Sequence, residues 1–162
     1  SFNYKRSGDI IFWTLGSFST MNYFKISLML ISLIIGLFLA IRHSRELDLF
    51  TLGTMSAQSL GLNIKKYRVL LLTIASLLTG IVVSFTGIIG FVGLIIPHLT
   101  RLFVGSSHKK LIIYSIPLGA IFMIICDTFA RSIIENELPV GVITSLIGAP
   151  LFIFLLRKGG SK

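Results

Sequence analysis

The chain is predicted to be an all-α, polytopic membrane protein with about five transmembrane helices. Three observations point there. Of its 162 residues, 54% are hydrophobic and only 13% charged, against about 25% charged in an ordinary globular domain. Mean hydropathy is +0.91. The apolar residues fall in long runs separated by short basic stretches, and turn residues set off each run. The formal charge of +9 could suggest a nucleic-acid partner. The basic residues lie between apolar runs, however, rather than on one polar face, so membrane topology accounts for them and no nucleic acid is expected. The single Cys126 sits inside an apolar run and excludes a disulfide framework.

Residues 1–25 read as an extracytoplasmic interfacial segment. Lys5, Arg6 and Asp9 stand beside Phe12, Trp13, Phe18 and Tyr23, and aromatics next to charge suit a membrane–water boundary. A surface loop with an amphipathic turn is the plainer alternative. The transmembrane domain then fills 26–162. Its first span, 26–41, carries no charge; Lys25 and Arg42 flank it and can snorkel to complete a crossing that needs roughly 20 residues.

The stretch 42–68 is polar and basic. Within it, Leu49 to Leu62 reads LFTLGTMSAQSLGL. Small residues alternate with Leu52, Met55 and Leu60, which predicts two short helical pieces with glycine breaks. The piece is too short and too polar to cross a membrane. It is either an interfacial loop or a small-residue knob that docks into a partner.

From Val69 to Leu99 the only titratable residue is His98. That length is too long for one crossing and too short for two full ones. A split near Thr86 and Gly87 gives a span at 69–86 and a shorter returning one at 90–100. The second half contains GFVGLIIPHLTR, Gly90 to Arg101. Two glycines and a proline in eight apolar residues predict a broken, tightly packed segment at membrane depth. Irregular backbone survives there only where protein or a water-filled cavity covers it, and such segments often flank transport pathways. Gly90 and Gly93 can allow close helix approach. His98, after Pro97, is a helix-end polar group; one histidine without partners is a weak metal signal.

The span 111–131 follows, with Pro117 and Gly119 as possible kink points. Asp127 and Arg131 end it at i, i+4 spacing on one face. An acidic turn leads to the last span, 138–156, interrupted by Gly148 and Pro150. Five crossings put alternate loops on alternate sides. The side with 42–68, 100–110 and the tail holds eleven Lys and Arg, and the other holds Lys5, Arg6, Lys25 and Arg131. That bias places the first side, and with it the C-terminus, in the cytoplasm.

GFVGLIIPHLTR resembles the signature of the FecCD permeases, the membrane subunits of ABC importers for ferric siderophores, haem and cobalamin. LPVGVITSLIGAPLFIFLLRK, Leu138 to Lys158, resembles that family's C-terminal signature, and LGTMSAQSLGL, Leu52 to Leu62, its cytoplasmic coupling segment. The acid and base of CDTFAR also fall where the family tends to carry them. Family members have ten spans, so the chain is expected to be their C-terminal half.

The resemblance implies a permease subunit in a bacterial cytoplasmic membrane. A second permease copy, a cytoplasmic ATPase dimer and an extracytoplasmic substrate-binding protein would be its partners. It implies no enzymatic activity and no cofactor in this chain; there is no P-loop of the form GxxxxGKS/T here. Gly53, Ser56, Ala57, Leu60 and Gly61 would form the ATPase-coupling element. Gly90, Gly93, Pro97 and His98 would belong to the pathway and its helix packing. Arg131 would meet an acid on the docked binding protein, or else only pair with Asp127. The alternative function is half of a proton-coupled secondary transporter using Asp127, since intramembrane acids are functional suspects.

Overall fold

Asn22 opens the first long helix in the computed structural model, which describes residues 14–18, 21–133 and 138–159. Its Oδ1 accepts the Lys25 backbone N–H at 2.9 Å, the usual N-cap arrangement. After a helical turn at Thr14–Leu15, the order is α1 (Tyr23–Arg42), α2 (Ser44–Thr51), α3 (Thr54–Ser59), α4 (Ile64–Thr86), α5 (Val92–Val104), α6 (His108–Ile133) and α7 (Val140–Gly159). No strand occurs among the described residues, in agreement with the all-α expectation. The expected interfacial residues Lys5, Arg6, Asp9, Phe12 and Trp13, and the acidic turn with Glu135 and Glu137, lie outside the described residues.

Among the described residues, three helices are long and apolar enough to cross a membrane: α1, α4 and residues His108–Ser132 of α6. Apolarity marks only the slab-spanning part of each. α4 starts at Ile64, ahead of the apolar run at 69, because Asn63 accepts the Lys66 N–H at 3.1 Å and Lys65, Lys66 and Arg68 are good helix formers. α5 has 13 residues and reaches only about 20 Å, short of the roughly 30 Å hydrocarbon layer. Residues 87–91, between α4 and α5, are non-helical.

That break begins where Gly87, at φ 73°, donates its N–H to Val83 O and closes α4. Phe91, at φ 65°, precedes α5 in the left-handed region. The exposed backbone is covered from two sides. Ser17 N–H bonds Thr86 O at 2.9 Å, and Gly141 N–H bonds Gly16 O at 3.3 Å. Residues 15–17 thus lie between the break and the start of α7. Gly16 has φ +71°, and a Cβ there would sit 2.5 Å from Ile88 O. A Cβ on Gly141 would collide with the Leu15 carbonyl. Only glycines let the three strands of backbone meet.

Small residues also set the helix contacts, as membrane packing requires. Gly36 of α1 receives the Leu78 side chain of α4, and Gly148 of α7 receives Phe91 and Ile95. A Cβ on Gly119 of α6 would stand 3.7 Å from Ile96 Cγ2 of α5. Ser115 of α6 donates to Thr100 Oγ1 of α5 at 3.2 Å. The buried cluster of Cys126, Ala130, Val140 and Ile143 joins the far end of α6 to the start of α7. Leu30, Ile31, Ile34, Ile35 and Phe38 remain exposed along α1, as suits lipid or a membrane-embedded partner.

Candidate functional site

The end of the bundle that carries Arg42, Lys65, Lys66, Lys109 and Lys110 also carries α2 and α3. α3 is only six residues long, too short to hold itself; its two ends are fixed by backbone geometry. Gly53, at φ 94°, accepts Ala57 N–H and so starts the helix. Gly61, at φ 85°, ends it: Gly61 N–H reaches Gln58 O at 2.9 Å and Leu62 N–H reaches Ala57 O at 3.1 Å. This is a Schellman motif, with Ala57 and Leu62 as its apolar pair; both are buried.

The five residues expected to couple to an ATPase therefore do not share one face. Gly53, Ser56, Leu60 and Gly61 are exposed, whereas Ala57 is fully buried and anchors α3 to its own chain. A Cβ at Gly53 or Gly61 would meet nothing within 4 Å; within this chain those glycines supply backbone freedom, not room. The outward surface includes apolar side chains: Leu52 is 61% exposed, Met55 86% and Leu60 65%.

Asp48 and His108, which sequence reasoning missed, hold α2 in place. His108 and the next two residues make the first turn of α6 HKK, with no acid in it. Cations at a helix N-terminus oppose its dipole. Asp48, sixty residues earlier, supplies the anion. Its Oδ1 accepts the His108 backbone N–H at 2.8 Å and lies 2.7 Å from His108 Nδ1. The backbone hydrogen bond, chiefly, holds the Asp48 carboxyl below its usual range against the opposing effect of burial, and the His108 ring adds to it. The missed signal was the acid-free basic start of α6. Nearby, His43 Nδ1 stands 3.7 Å from Glu46 Oε1, and its ring meets Tyr67 edge-on at 5.8 Å.

The broken segment lies away from this end. Gly90 packs closely, since a Cβ there would stand 3.3 Å from Ser145 Oγ, while Gly93 meets nothing within 4 Å. Pro97 lies inside α5 without ending it; its i−4 residue is Gly93. His98 is exposed. Gly93 and His98 are each exposed, on sides of α5 about 140° apart, whereas Gly90 serves helix packing within the chain. Arg131 Nε donates to Asp127 Oδ2 at 2.9 Å near the opposite end of α6, roughly 35 Å from His108 by helix rise. The coupling residues thus lie at one end and Arg131 at the other, while Pro97 and His98 sit mid-way along α5, so His98 is not the helix-end group expected from the sequence. Among the described residues no group of His, Cys, Asp and Glu could hold a metal ion.

The profile of the FecCD transport family matches residues 1–158. The chain belongs to the FecCD transport family. Among similar FecCD-type chains, the uncharacterized ABC transporter permease protein YvrB of Bacillus subtilis (strain 168) is 44% identical over 155 residues, covering 93% of this chain and 44% of that protein. The molybdate import system permease protein MolB of Haemophilus influenzae is 36% identical, covering 94% of this chain and 46% of that protein. The cobalamin import system permease protein BtuC of Halobacterium salinarum is 39% identical, covering 91% and 40%. A solved ABC transporter described as of the metal-chelate type, in an inward-facing conformation, superposes with a TM-score of 0.90 at 35% identity, covering 96% of this chain and 51% of that one. The chain spans about half the length of the curated relatives it matches.

Proposed function

We propose that the chain is the C-terminal half of the permease of an ATP-driven ABC importer, with the end bearing α2 and α3 in the cytoplasm and α3 seated in an ATPase. The observation that carries the reading is the apolar knob of Leu52, Met55 and Leu60, exposed on the basic side of the bundle. Lipid does not cover that side, and a bare apolar patch there calls for a protein partner. The exposed Gly53, Ser56 and Gly61 keep the knob slim. Ala57 supports it from behind. The N-terminal half, a second permease copy and an extracytoplasmic binding protein complete the assembly, with Arg131 on the side where that protein docks. Gly93 and His98, each exposed on α5, belong to the pathway and its helix packing.

The cargo in this reading is a metal chelate: a ferric siderophore, haem or cobalamin. Relatives named for cobalamin and for iron chelates support that class, and the one named for molybdate shows how far cargo varies on this scaffold. ATP hydrolysis belongs to the ATPase and not to this chain. The test is co-expression of the parent permease with its ATPase and purification in detergent. Wild type retains the ATPase, and Met55→Glu loses it while the permease keeps its elution profile. Retention by Met55→Glu at the wild-type level refutes the knob as the contact.

A further inference from the structure

Displacement of the knob can reach α4 through the covalent link 60–63, but α6 has no such link to it. α2 packs against the start of α6, and the polar tie between them is the Asp48 carboxylate on His108. We propose that this contact is the coupling latch through which movement of the α2–α3 loop is passed to α6, with Asp48 as its positioning residue. The inference rests on the reading of that loop as the ATPase contact.

Four observations carry it. Asp48 engages His108 twice, through the backbone N–H and the ring nitrogen, so both position and orientation of the helix start are fixed. The His108 side chain is 15% exposed and that of Asp48 43%, so the contact is covered on the α6 side only and rests on its two-point geometry rather than on its charge. The first turn of α6 is otherwise wholly basic, so removing the carboxylate leaves Lys109 and Lys110 at the helix N-terminus with no anion to offset them. Onward links also exist: Ser115 bonds Thr100 and so ties α6 to α5, and Cys126 and Ala130 pack on α7. The route is a continuous set of packed and hydrogen-bonded groups, the physical form that coupling takes. It runs from the knob through α2 to the helices that hold the broken segment and Arg131.

The test uses the full permease–ATPase complex in proteoliposomes, with Cys126 left in place because it is fully buried. Phe129→Cys, at the far end of α6 and exposed in this chain, reports movement as the rate of labelling by a membrane-impermeant maleimide, with and without ATP and vanadate. The latch predicts a nucleotide-dependent change of at least about threefold with Asp48 present. Asp48→Ala reduces it to within about 1.5-fold while the ATPase still co-purifies. Asp48→Asn keeps an acceptor for both N–H groups and retains at least half of the response. Asp48→Ala combined with His108→Ala is no worse than Asp48→Ala alone. A full response in Asp48→Ala, or additive losses in the double variant, overturns the latch. So does a complex that hydrolyses ATP without any change at Phe129→Cys. Failure of the wild-type permease to bind an ATPase is a separate result, and it removes the importer reading together with the latch.

Discussion

A helix that begins His108, Lys109, Lys110 places three basic side chains at the positive end of its own dipole, and the remote carboxylate of Asp48 offsets them. Asp48→Ala should lower stability by about 1 kcal/mol, the typical cost of a lost N-cap, read as a lower thermal-unfolding midpoint in detergent. The Asp48 side chain is 43% exposed, so solvent screening keeps its ionic part small. The lowered pKa of Asp48 sets the pH dependence. Its contribution is complete above the unfolded carboxyl value near 3.9 and is lost as pH falls through the lower folded value. The midpoint gap between wild type and Asp48→Ala should stay constant from about pH 5 to 8 and close in stronger acid; a gap that changes between pH 6 and 8 would mean that another group controls it. Gly61 provides a second residue-scale test. Its φ of 85° makes Gly61→Ala cost on the order of 1 kcal/mol, whereas Met55→Ala, exposed and helical, should stay within about 0.5 kcal/mol.

At the scale of elements, the meeting of residues 15–17, the 87–91 break and the start of α7 is the tightest place in the fold. Gly141→Ala puts a methyl group against the Leu15 carbonyl. It should break the Gly141–Gly16 hydrogen bond and cost about 1–3 kcal/mol, as overpacking does. Limited proteolysis near Leu15 measures the release; unchanged cleavage rates would show that the three segments are not interdependent. The break itself was legible at Gly87 and Gly90, in an apolar run whose length fits neither one crossing nor two; Gly93 and Pro97, which suggested a further interruption, lie inside the continuous helix α5. Helix ends were less legible. Hydropathy reports where lipid lies, and α4 continues past it to a cap at Asn63. Phe91 in the left-handed region carries no sequence signal; it packs closely against Gly148, fifty-seven residues away. The small residues of the loop announced a compact turn, but size alone does not say which of them faces inward. The structure turns Ala57 in and leaves Gly53 and Gly61 out. Asp48 was hidden for a related reason: a contact across sixty residues leaves no periodic trace.

Over the whole molecule, charge and topology agree. Of the described basic residues, Arg42, Arg45, Lys65, Lys66, Arg68, Arg101, Lys109, Lys110 and Arg157 fall at helix ends that alternate along the chain, and Lys25 and Arg131 fall at the opposite ends, the asymmetry of a bundle with one more basic side. The proton-driven carrier reading makes Asp127 indispensable. Its pairing with Arg131 at 2.9 Å argues instead for a structural ion pair, so Asp127→Asn should leave uptake by cells within about twofold of wild type; abolished uptake would restore the carrier. The central claim is that α3 presents an apolar knob to an ATPase, and the direct measurement is the ATPase-to-permease ratio after detergent co-purification of the parent protein. Met55→Glu is the decisive variant, because Gly61→Glu adds backbone strain and Ala57→Glu buries a charge. The account predicts a stable complex for wild type and its loss for a well-folded Met55→Glu. A well-folded wild type that binds no ATPase would contradict it.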